Sequence, residues 1–85
     1  MSVMIFHKSA SDHARDVRGF LRDFEQRTTR VLEEVDPDSR RGISLCALYD
    51  IVDYPTIVAI GADGQLRNKW RGIPLPTIDE VSFYV

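Results

Sequence analysis

Only one cysteine, Cys46, occurs in the 85 residues. No internal disulfide can form, and a reducing compartment is expected. A basic cluster is missing too. Lys and Arg number 11 against 13 Asp and Glu, the net charge is −2, and the longest basic run is Arg40-Arg41. That pattern lacks the electrostatic footprint of a nucleic-acid binder. The apolar run "TIVAIGA" falls far short of the ~18 residues that cross a bilayer. The start of the chain lacks the charged, apolar and small-residue zones of a secretory leader. Two histidines, His7 and His13, stand without cysteines at ligand spacing, so they are read as solvated side chains rather than metal ligands. The expectation is one soluble, cytoplasmic domain spanning 1–85, with neither nucleic acid nor membrane as partner and no cofactor. A chain this short buries about 60–65% of its unfolded surface, so a small core must suffice.

Against those absences, the hydrophobic pattern is strong. "SVMIFH" (2–7) is rich in β-formers and too short for a helix. From Asp12 to Thr28 the period changes, and Ala14, Val17, Phe20, Leu21 and Phe24 make one apolar helical face. Ser11 is a fitting N-cap, with Asp12 and Asp16 near the positive end. Gly19 costs this helix about 1 kcal/mol relative to alanine, which a close approach to a sheet would explain. "RVLEEV" (30–35) reads as a second strand. Asp36 as N-cap and Pro37 at the first helical position open a second helix, running to Tyr49 or Asp50. Its inward face is read as Ile43, Cys46, Ala47 and Leu48, which makes Cys46 a structural cysteine. "TIVAIG" (56–61) is a central strand, and the Asp63-Gly64 turn returns "LRNKWRG" (66–72) antiparallel. Thr77 caps a last helix over 78–85. The order β-α-β-α-β-β-α predicts an α/β fold, with a four-stranded mixed sheet flanked by helices on both faces.

One stretch adds a specific likeness. "CALYDIVDYPTIVAIGADGQLRNKWRGIPLP" (46–76) presents Ala47, Tyr49, Ile51, Pro55-Thr56, an apolar strand, Asp63-Gly64, a second strand and Gly72. It resembles the second half of thioredoxins, and the short outline is similar to glutaredoxin-like minimal members of the thioredoxin-like superfamily. The resemblance implies a cis-proline at Pro55 facing the site. It also places the redox motif at Ser11, Asp12, His13 and Ala14, after the first strand. There the chain departs from the family. Ser11 stands for the attacking cysteine and Ala14 for the resolving one, so thiol-disulfide exchange at this junction is not expected.

The resemblance leaves a groove bounded by Ser11, Asp12 and His13, by Tyr54, Pro55 and Thr56, and by Gly72. In this fold the residue before the cis-proline offers its backbone to an extended peptide. Here that residue is Tyr54, whose ring is also an interface anchor. The helix start beside it favours anions. The first reading is therefore a redox-inactive module that binds a protein or peptide. A second reading makes the chain a glutathione-binding, transferase-like protein, with Ser11 orienting the glutathione thiol. A third is a structural or assembly domain. A Ser11-His13-Asp12 hydrolase fails, because neighbours on one helical turn point in different directions.

Overall fold

A computed structural model describes residues 2–85. The elements follow in the expected order: β1 (Ser2–Phe6), α1 (Ala14–Thr28), β2 (Glu33–Val35), α2 (Arg40–Tyr49), β3 (Thr56–Ile60), β4 (Leu66–Arg71) and α3 (Ile78–Ser82). The sheet runs β2-β1-β3-β4. β1 pairs parallel with β2 and antiparallel with β3, and β3 pairs antiparallel with β4. β3 is buried along its whole length, as its uninterrupted apolar sequence requires of a central strand.

Alternation along the strands divides the core between the two faces. Val3, Ile5, Ile57 and Ala59 point to one face, where Val17 and Phe24 of α1 and Val81 of α3 cover them. Met4, Phe6, Val58 and Ile60 point to the other, beneath Leu45, Cys46 and Tyr49 of α2. The α1 face holds its expected residues, and Phe20 stacks on Phe24 with ring centroids 5.9 Å apart. Gly19 differs from expectation. A Cβ built there meets nothing within 4 Å, so no close approach explains the glycine.

α2 is turned differently from its expected setting. Ile43 and Leu48 are 60% and 68% exposed, and Ala47 is exposed as well. The packed side instead reads Gly42, Leu45, Cys46 and Tyr49. Gly42 decides this orientation, because a Cβ there would fall on the Asp36 carbonyl and crowd Pro37. The cap moves as well. Asp36 accepts from its neighbour's Asp38 N–H at 2.9 Å, a local turn that leaves capping to Ser39. Ser39 Oγ accepts from Gly42 N–H at 2.9 Å and donates to the Asp36 carbonyl at 2.6 Å. In α3, Thr77 Oγ1 accepts from Glu80 N–H at 3.1 Å, as expected of the cap. None of the described helices is long and apolar enough to cross a membrane.

Candidate functional site

The loop from Lys8 to His13 connects β1 to α1, and its short polar residues close it on itself. Ser11 does not cap the helix. Its hydroxyl donates to the Lys8 carbonyl at 2.5 Å, while its own carbonyl accepts from Ala14 N–H at 3.2 Å. The intervening turn delays the helix by two residues, so His13 occupies the N-cap position without a side-chain cap. The His13 ring turns back instead, and Nε2 accepts from Lys8 N–H at 3.3 Å. Asp12 is exposed, while Ser11 and His13 are half-buried. In this arrangement the Ser11 proton is used within the loop.

Across from this loop lies the segment leading into β3. The Tyr54–Pro55 peptide bond is cis, as is Ile73–Pro74. Pro55 and Thr56 are buried, and Thr56 Oγ1 donates to the Asp53 carbonyl at 2.6 Å. Neither residue therefore presents surface to a ligand, although the resemblance had placed both in the groove. Gly72 adopts φ 72°, a left-handed conformation that suits glycine. Its N–H donates to the Pro55 carbonyl at 2.7 Å, which ties the end of β4 to this segment. Among the described residues, the Tyr54 N–H and C=O take part in no backbone hydrogen bond of the loops and turns. Its ring packs inward against the α2-side core, with Oη 3.9 Å from Cys46 Sγ. Burial, then the Cys46 contact, pushes the Tyr54 phenol above its ordinary value of 10.0. What Tyr54 can offer a ligand is its backbone more than its ring.

Lys8 joins the two halves of the site. Its Nζ lies 5.3 Å from the Tyr54 ring centroid and 3.7 Å from Asp38 Oδ2, while its backbone holds both Ser11 and His13. Sequence reasoning passed over it, since a lysine in a polar loop carries no signal until the loop's path is known.

His7 also departs from expectation. Its side chain is 10% exposed, and Nε2 sits 3.0 Å from Glu34 Oε1. The cause is the parallel pairing of β1 with β2, which sets Ile5 opposite Glu34 and brings His7 N–H to the Val35 carbonyl. Among the described residues, no three His, Cys, Asp or Glu side chains converge as metal ligands.

No protein-family model matches the chain, and no curated protein does. Solved structures do. Thioredoxin O2 from Arabidopsis thaliana superposes with a TM-score of 0.69 at 13% identity, over 96% of this chain and 69% of that one. Mitochondrial thioredoxin 3 from Saccharomyces cerevisiae gives 0.69 at 20% identity, over 95% and 72%. The fold is thioredoxin-like. A designed protein matches similarly, at 0.66 and 22% identity over 98% and 70%. At these identities the thioredoxins share an architecture with this chain.

Proposed function

We propose that this thioredoxin-like chain is a binding module that holds an extended segment of a protein or peptide without bond chemistry. The surface is Lys8–His13, Tyr54 and Gly72. The observation that carries the reading is the state of Tyr54. Its ring is fixed between the Lys8 ammonium and the Cys46 thiol, while its N–H and C=O lie outside the sheet's ladder. A fixed residue with an uncommitted backbone at the end of a strand suits strand addition. The β1–α1 junction supports a role without thiol exchange, since Ser11 and Ala14 supply no sulfur.

The test begins with linear peptides selected on the chain from a random phage-displayed library. Each amide of a selected peptide is then N-methylated in turn. Backbone pairing predicts a loss of about tenfold at alternate positions and little between them. Tolerance of N-methylation at every position would overturn the reading. Displacement of the peptide by millimolar reduced glutathione would favour the glutathione-binding alternative instead.

A further inference from the structure

A second surface lies on the other face of the sheet, away from Tyr54. Asn68 and Trp70 alternate to the same side of β4, and α3 runs beside them. Between these elements lies an open groove of about 700 Å³, lined by Asn68, Trp70, Asp79, Glu80, Phe83 and Tyr84. Its aromatic residues pack on one another. Tyr84 meets Trp70 edge-on at 5.6 Å and Phe83 edge-on at 5.0 Å, and Asn68 Nδ2 donates to Tyr84 Oη at 3.2 Å. Phe83 nonetheless remains 81% exposed. Asp79 and Glu80 lie in the first turn of α3, and Phe83 and Tyr84 follow its last residue, Ser82, so that two carboxylates and two rings come from one short stretch of chain.

Aromatic faces beside carboxylates suit a planar cation, which stacks on the one and pairs with the other. The chain already places one guanidinium on this rim, with Arg27 Nη2 3.5 Å from Asp79 Oδ1. Glu80 takes part in no ion pair among the described residues. We infer that the groove between β4 and α3 receives an arginine side chain from a partner protein, held between Glu80 and the Phe83–Trp70 aromatic wall. This surface is independent of the one at Tyr54 and stands or falls separately.

The sole tryptophan, Trp70, lies in the groove and reports on it. The probe is the blocked peptide Gly-Arg-Gly-Arg-Gly, titrated against Trp70 fluorescence beside its neutral citrulline analogue and its lysine analogue. The expected result is a saturable response to the arginine peptide and none to the citrulline peptide. Glu80→Gln and Phe83→Ala should each weaken binding about two- to fivefold, with circular dichroism and thermal unfolding showing that the fold is kept. Equal responses to the citrulline or lysine peptide would overturn the assignment, as would no response at millimolar concentration. So would a dimer in sedimentation that Phe83→Ala dissociates, because a second copy would then be the occupant.

Discussion

α1 and α2 cover opposite faces of one sheet, and they are oriented by different means. α1 presents large apolar side chains at helical spacing, and Val17 and Phe24 are buried as that spacing demands. α2 carries apolar residues on more than one side, and its orientation follows from a residue without a side chain. Gly42 lies against the Asp36 carbonyl and Pro37, which sends Ile43 and Leu48 to solvent and turns Leu45, Cys46 and Tyr49 inward. The two helical glycines bear out the contrast. Gly42 is required by contact, whereas Gly19 in α1 faces open space. A helix is thus oriented by its large residues when they agree, and by its closest backbone approach when they do not.

That comparison can be broken by substitution, with thermal unfolding as the readout. The largest effect belongs to Phe24→Ala, which empties the α1-side core and should cost about 3–5 kcal/mol. Gly42→Ala comes next, at about 1–3 kcal/mol of destabilisation, since the backbone of Asp36 and Pro37 must shift. Gly19→Ala should do the reverse and stabilise by up to about 1 kcal/mol. In a domain of this size that corresponds to a rise of about 4–8 °C in Tm. Leu48→Lys should change stability by less than about 0.5 kcal/mol, because its side chain lies in solvent. A large loss from Leu48→Lys, or none from Gly42→Ala, would mean that α2 packs by its other face.

Tyr54 adds a pH dependence that runs parallel to these substitutions. Its folded-state value is raised, so its contribution to stability is intact below pH about 10. That contribution is lost as pH rises through the elevated value. Tyr54→Phe should remove this alkaline limb from the stability profile.

How legible these features were follows from the same physics. β3 and α1 could be read from the chain because their patterns have one solution: five successive apolar-compatible residues, and one helical stripe. The β3–β4 hairpin was marked by Asp63-Gly64, with Gly64 at φ 81°. The start of α2 reads as capped by Asp36, yet Asp36 closes a local turn on Asp38 N–H and leaves the cap to Ser39. Ser11 looked like a cap for the same reason, yet its hydroxyl is spent within the loop. In the site, the hydrogen bond between Gly72 and Pro55 joins residues that the resemblance had grouped. The roles of Lys8 and His7 depend on contacts made across strands and loops, which no local pattern encodes.

The most direct measurement is an amide chemical-shift map of the chain with a selected peptide, combined with intact mass of the complex. Binding at Tyr54 without bond chemistry predicts saturable shifts at Lys8–His13, Tyr54 and Gly72, with the mass unchanged after denaturation. Shifts confined elsewhere, or an adduct on Cys46, would contradict a module that binds at Tyr54 without bond chemistry.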